Sequence, residues 1–317
     1  MMPDVVALGI LVADVLGRPV DEWPERGKLK KVDEMTLHIG GCAANAGVGL
    51  QKLGVPTAVV GKVGRDGFGD YLVSALQRAG VDTRGIERDD TAGTSATMVT
   101  VASDGERTFI HYIGANATIR PAELDWGLVK SARFVHLAGA LLMPGFDGPP
   151  AAEVLRDARA AGVTTCCDTA WDATGAWMKT VRPMLEHMDY FLPSFEEAKE
   201  ITGLTDAADV AHCLLDHGVS CVALKMGSEG CRVWTRDESA QAPIFPVEPV
   251  DACGAGDAFC AGFICGLTKG WDLERCAIMG NGCGALCVTG LGTTTGLRDF
   301  AGTLEFIKEH SGRDLTA

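Results

Sequence analysis

The run Asp251-Ala-Cys-Gly-Ala-Gly-Asp257 sets a carboxylate behind three residues with little or no side chain, where the sequence turns helical at Ala258-Phe-Cys-Ala-Gly-Phe263. Backbone N–H groups at Gly254, Ala255 and Gly256 can face open space there. The first N–H groups of a helix lack intrahelical partners and carry the positive end of its dipole, so this run can hold an anion. A carboxylate beside an anion site suits transfer of a phosphoryl group to a hydroxyl: the donors hold the phosphate and Asp257 takes the alcohol proton. A structural reading competes, because Asp near a helix N-terminus also caps it and complements its dipole. The spacing and the Lys of a P-loop, G-x-x-x-x-G-K-[ST], are missing, so that NTPase class is not supported.

A second constellation lies near the start of the chain. Gly40-Gly41-Cys-Ala-Ala-Asn45 opens a long helix, and its glycines let the backbone approach a ligand closely. Asn45, one turn in, offers a donor and an acceptor suited to a hydroxyl, or is simply a helix-start residue. Asp14 follows the first strand at its C-terminal end, where ligands collect in open parallel sheets. A carboxylate there can accept from two adjacent sugar hydroxyls; alternatively Asp14 is a turn residue.

The elements that must position these groups alternate short β-rich runs with amphipathic helices, the pattern of a mostly parallel sheet covered on both faces. Strands are expected at Val5–Leu8, Thr57–Val60, Phe134–Leu137, Val163–Cys167, Tyr190–Leu192 and Cys221–Leu224. Helices are expected over Cys42–Leu53, Phe68–Ala79 and Ala151–Ala161, with Gly54, Gly80 and Gly162 at their C-terminal ends, and over a further run ending near His217. Two stretches break the alternation. Val15–Ile39 is too long for a simple βα connection, and Ser95–Ala102 with Arg107–Ile113 reads as a hairpin about Asp104-Gly105. Together they predict a small sheet standing off a single domain of residues 1–317, with lid segments at about 15–39 and 94–113.

Composition narrows the partners. The net charge of −14 argues against nucleic acid, while a local nest of N–H groups can still bind a small anion. The chain starts without a basic segment followed by an apolar one of signal length, and no apolar run reaches the ~18 residues of a membrane span. The twelve cysteines form no C-x-x-C pair and read as small buried hydrophobes. A reduced, cytoplasmic setting without membrane attachment is the expectation.

Gly40-Gly41-x-x-x-Asn45, Gly61-x-x-Gly64-x-Asp66-x-x-Gly69, Gly114-Ala-Asn116, Leu192-Pro-Ser-Phe-Glu-Glu197-Ala, Lys225-Met-Gly227-x-x-Gly230 and Asp251 through Gly262 occur in this order. In type, spacing and order they resemble the motifs of the ribokinase or PfkB family of carbohydrate and nucleoside kinases, over nearly the whole chain. The resemblance implies a ribokinase-like three-layer α/β/α domain, with a mostly parallel central sheet and a small β-sheet lid. It implies an ATP-dependent kinase acting on a primary hydroxyl of a sugar or nucleoside, with ATP, Mg²⁺ and a monovalent cation such as K⁺. By position, Asp257 would be the base and Gly254, Ala255 and Gly256 the anion hole. Asp14, Gly40, Gly41, Asn45 and Asn116 would hold the substrate. Arg107 would reach it from the lid, or else lie on a solvated strand edge. Lys225, Gly227, Gly230 and Asn281 would border the nucleotide, Glu197 would organise water around Mg²⁺, and Asp251 would lie near the monovalent cation. The free edges of lid strands pair readily, so a homodimer through the lids is expected.

Departures from the family pattern bear on this. Ser194 stands where Asn is usual in Asn-x-x-Glu, and Ala252-Cys253 replaces Thr-Thr, which removes a hydroxyl from the cation site. Cys253 is either a packing residue or a thiol activated by a helix N-terminus. These departures motivate an alternative, a sugar or nucleotide sensor that has lost catalysis; the retained Asp257 and Glu197 oppose it. Trp171 and Trp177 are expected to pack or flank an entrance, and the scattered histidines to be surface or core groups.

Overall fold

The computed structural model describes residues 2–316. Its strands are β1 (Val5–Gly9), β2 (Val12–Arg18), β3 (Glu34–Gly40), β4 (Thr57–Gly64), β5 (Asp82–Asp89), β6 (Ala96–Val101), β7 (Arg107–Tyr112), β8 (Phe134–Ala140), β9 (Thr164–Thr169), β10 (Tyr190–Phe191), β11 (Cys221–Lys225), β12 (Cys231–Trp234) and β13 (Ser239–Ala242). Its α-helices are α1 (Cys42–Lys52), α2 (Gly67–Arg78), α3 (Trp126–Ser131), α4 (Pro149–Ala160), α5 (Met178–Leu185), α6 (Phe195–Thr202), α7 (Ala207–Asp216), α8 (Ala255–Thr268), α9 (Leu273–Cys287) and α10 (Phe300–Ser311).

A large sheet runs β13-β12-β11-β10-β9-β8-β1-β4-β5 and is parallel except for the β11–β12–β13 meander at one edge. β1 and β4 are buried along their whole length, as central parallel strands covered on both faces must be. Side chains of β1 alternate between layers: Val6 and Leu8 enter the cluster shared with α3–α7, while Val5 and Ala7 enter those formed with α1, α2 and α8–α10. No helix among the described residues is long and apolar enough to cross a membrane.

The second sheet, β3-β2-β6-β7, grows from β1 through Ile10-Leu11. It contains the two segments whose length and hairpin pattern set them apart in the sequence, although β2 begins at Val12, so Asp14 lies inside a strand and not in a turn. Its side chains divide cleanly by the two-residue period of a strand. Pairings of His38 with Asp14, Asp14 with Thr97 and Thr97 with His111 align these four residues across one face. Met98 and Ile110 pair on the other face, where Met35, Met98, Ile110 and Tyr112 are each at least half exposed.

Candidate active site

Helices α1 and α8 bring the two sequence constellations together. A Cβ on Gly49 of α1 would lie 2.8 Å from Cβ of Ala261 in α8, so the helices meet at small residues and their N-termini converge. There Asn45 donates from Nδ2 to Oδ2 of Asp257 at 2.8 Å. The Oδ1 of Asn45 lies 2.7 Å from the Thr293 hydroxyl, which is also within 2.9 Å of the Ile39 carbonyl. Asn45 therefore spends both ends of its amide on holding Asp257 against the small sheet and the 292–293 loop.

The helix-cap reading of Asp257 fails. The N-cap of α8 is Gly254, in the left-handed region at φ 81°, and no side chain caps the helix. A Cβ on Gly254 would come within 2.6 Å of the Thr293 carbonyl oxygen, so both the dihedral and the close approach require glycine. The first N–H groups of α8 are thereby left facing a cavity with the dipole behind them. Burial pushes the Asp257 carboxyl above its usual range; Asn45, the charge of Lys225 and a hydrogen bond from Cys42 oppose that rise, and Glu197 adds to it.

Two cavities meet at Asp257 and Cys42. The smaller, about 220 Å³, lies under the small sheet and is lined by Asp14, His38, Thr97, Arg107 and His111 among others. The larger, about 820 Å³, runs along the C-terminal ends of β9 and β11 past Gly254, Ala255 and Gly256; its volume is that of a cofactor-sized site. Opening at the carboxyl ends of parallel strands is the expected place for both.

In the smaller cavity Asp14 sits where Gly40 leaves room for it: a Cβ on Gly40 would fall 2.0 Å from Oδ2 of Asp14. Burial pushes Asp14 up to about 6, against a hydrogen bond from Thr97 and the charge of Arg107, while Asp257 raises it further. Gly41 lines the wall as the N-cap of α1. Asn116 does not reach either cavity; it is 1 % exposed and bonds the backbone of Leu11 through both ends of its amide, each at 3.1 Å. The histidines need a correction, since His38 and His111 line this cavity because they fall in register with Asp14.

Lys225, Gly227, Gly230 and Asn281 border the larger cavity. Lys225 donates to Oδ2 of Asp168 at 2.6 Å, and a Cβ on Gly256 would lie 3.2 Å from its Nζ, so the ammonium stands beside the α8 N-terminus. Burial works against that charge, but Asp168, Cys260 and Glu197 prevail and hold Lys225 protonated. Burial raises Asp168 to about 7, with Lys225 opposing and Glu197 reinforcing the rise. Asp168 was not anticipated; its signal was an acidic residue at the C-terminal end of an apolar parallel strand. Asn281 donates to the carbonyls of Ala242 and Pro243, both at 2.9 Å. Trp171 is 57 % exposed on this cavity's rim and packs edge-to-face on Trp177, which fits an entrance.

Glu197 and Ser194 line the same cavity. Ser194 caps α6 through its hydroxyl to the Glu197 N–H at 3.2 Å, and Glu197 Oε2 accepts from the Ser194 N–H and the Thr169 hydroxyl, each at 3.1 Å. Ser in place of Asn thus makes a capping box that fixes Glu197. Asp251 is buried: Oδ1 accepts from the Cys253 N–H at 2.9 Å and Oδ2 from the Gly292 N–H at 2.7 Å. Arg107 crosses from β7 to pair with Oδ2 of Asp251, and its Nη1 lies 2.9 Å from the Cys253 sulfur. Burial raises the Cys253 thiol despite Arg107, the opposite direction from an activated thiolate, and Cys253 lines the smaller cavity. All twelve cysteines are free thiols, most of them buried.

Comparison with known proteins agrees with this geometry. A profile described as pfkB family carbohydrate kinase matches residues 2–299. Fructokinase-2 of Zea mays is 31% identical over 284 residues, spanning 84% of each chain. An uncharacterized sugar kinase of Archaeoglobus fulgidus is 32% identical over 253 residues, 79% of this chain and 98% of that one. The structure of Arabidopsis thaliana ribokinase complexed with ribose and ATP superposes with a TM-score of 0.86 at 25% identity, covering 97% of this chain and 99% of that one. With a carboxylate between two cavities and a family match over residues 2–299, the chain belongs to the pfkB family of carbohydrate kinases.

Proposed function

We propose that the protein transfers the γ-phosphoryl group of ATP to a primary hydroxyl of a monosaccharide, and that the reaction occurs where the two cavities meet at Asp257. The single observation that carries this reading is that junction, with the uncapped N-terminus of α8 on the nucleotide side and Asp14 on the acceptor side. The fructokinase relatives support a sugar as acceptor.

In this reading Asp257 receives the acceptor's proton. Asn45 aims its carboxylate toward the junction of the cavities. A carboxylate suffices as base when the proton leaves late in a loose transition state. The N–H groups about Gly254–Gly256 and the Lys225 ammonium gather the transferring phosphate, because fixed donors in a water-poor cavity stabilise developing charge better than water does. Asp14 orders the sugar hydroxyls, with His38 and His111 beside it. The small sheet covers the acceptor as a lid and keeps water from competing for the phosphoryl group.

The donor set suits Mg²⁺. Among the described residues no cluster of three His, Cys, Asp or Glu could hold a metal alone, and Mg²⁺ is usually held by one or two carboxylates, water and substrate phosphates. Glu197, fixed by its capping box, would hold the ion's water shell; when bound, the ion neutralises phosphate charge. The apolar outer face of the small sheet (Met35, Met98, Ile110, Tyr112) supports pairing of two copies through their lids. ADP release measured across hexoses, pentoses and nucleosides tests the reading: turnover with a monosaccharide is expected. Saturable sugar binding without ADP release would refute it.

A further inference from the structure

The only covalent route between the small sheet and the loop that opens α8 is long, yet Arg107 joins them directly. Its guanidinium reaches both Asp251 and Cys253. The Asp251 side chain is 0% exposed and that of Arg107 15%, so the carboxylate has no water to answer its charge. Asp251 also accepts from the N–H groups of Cys253 and Gly292 and from the Cys253 thiol. Gly292 is followed by Thr293, which packs on Gly254 and bonds the Asn45 that aims Asp257. One buried carboxylate therefore fastens the loop before α8 and the loop after α9, and its counter-charge comes from β7. A monovalent cation does not fit this arrangement: the Asp251 oxygens are taken by two N–H groups and a guanidinium, and Ala252-Cys253 brings no hydroxyl.

We infer that Arg107 is a positioning residue that stands where a monovalent cation would support the anion hole, so that closure of the small sheet assembles the hole and turnover needs no added K⁺. This rests on the kinase reading above. A buried carboxylate without its partner is strongly unfavourable, so with the sheet raised the 251–254 loop would lose its order. Water reaching the nucleotide cavity alone would then meet an incomplete anion hole.

The test compares wild type, Arg107→Ala and Arg107→Lys in tetramethylammonium buffer, with added KCl and with low millimolar guanidinium, by ADP release and by thermal melting. Wild type is expected to turn over and to melt alike in all three. Arg107→Ala is expected to lose about 10²-fold in kcat, the scale of a lost anion-hole donor, with acceptor KM little changed. Its rate and melting temperature should both recover in part with K⁺ or guanidinium. A residue that merely touched the sugar would raise KM and leave kcat and melting unmoved, which would overturn the inference. Strong K⁺ activation of the wild type would overturn it too. If no sugar supports turnover in wild type, the kinase reading fails, and melting still decides: cation-independent wild type with a K⁺-stabilised variant supports the clamp. Should Arg107→Ala not fold, Arg107→Lys carries the comparison, keeping one charge but not the two-pronged contact.

Discussion

Lys225 offers a sharp energetic test, because Lys225→Met removes only the ammonium from a buried pair and keeps the aliphatic stem. Asp168 is 2% exposed and holds three polar contacts: the ammonium at 2.6 Å, the Cys260 thiol at 3.3 Å and the Thr169 N–H at 2.9 Å. Without Lys225 its charge would also face Glu197 and Asp257 uncompensated. Breaking one side of such a pair costs about 3–5 kcal/mol. The sign with pH follows from Asp168 being raised, to about 7 with Lys225 present and higher without it. A raised carboxyl binds its proton more readily in the folded state, so its contribution to stability is greatest at low pH and declines as pH rises to the folded value. The variant's Asp168 protonates first as pH falls from 8.5, so its deficit relative to wild type should shrink by up to about 1.4 kcal/mol per unit until pH 7. Below that, both carboxyls are protonated and the difference stays level. Urea unfolding between pH 6 and 8.5 measures this, with Asp168→Asn in both backgrounds closing a double-mutant cycle. A pH-independent deficit, or additive single and double variants, would refute the buried ion pair.

Other consequences can be checked alongside. Gly40→Ala places a methyl on the Asp14 carboxylate, so acceptor KM should rise at least ~10-fold while ATP affinity by calorimetry holds; an unchanged KM would remove Asp14 from the acceptor site. Asn45→Ala deletes the bond that lowers the Asp257 pKa, so the acid limb of the kcat profile should move to higher pH, with kcat down about 10–10²-fold; a limb that stays in place argues against Asp257 as its source. Ile110→Asp on the outer face of the small sheet should convert a lid-paired dimer to a monomer in light scattering, and a mass equal to that of wild type would place any dimer contact elsewhere.

The alternating pattern of strands and helices was legible because both periods are local, and the central strands and the expected helices α1, α2, α4, α7 and α8 formed, whereas α3, α5, α6, α9 and α10 were not assigned. β5 was not, since Asp82–Asp89 (Asp-Thr-Arg-Gly-Ile-Glu-Arg-Asp) is a polar run that forms a strand only as the sheet's edge. The β12–β13 extension, also at an edge, was missed for a related reason: it is short and half-exposed. At the site, the motif residues were readable from type and order, but their partners were not. Asn45 lines the smaller cavity, but its amide partners Asp257 and Thr293, 212 and 248 residues away along the chain, could not be read from the sequence. Arg107 stood between solvent and substrate; it lines the smaller cavity and also pairs with Asp251. His38 and His111 gained their place only through strand register, which a list of scattered histidines does not contain.

The proposed division of labour, with Asp257 taking the acceptor's proton and the α8 N-terminus holding the phosphate, is tested most directly by Asp257→Asn. This variant keeps the size of the side chain and removes the base. ADP release with the preferred sugar should fall by about 10²–10⁴-fold, while calorimetric affinities for ATP and sugar stay within a few-fold of wild type. Turnover within threefold of wild type, with both ligands bound, would contradict it.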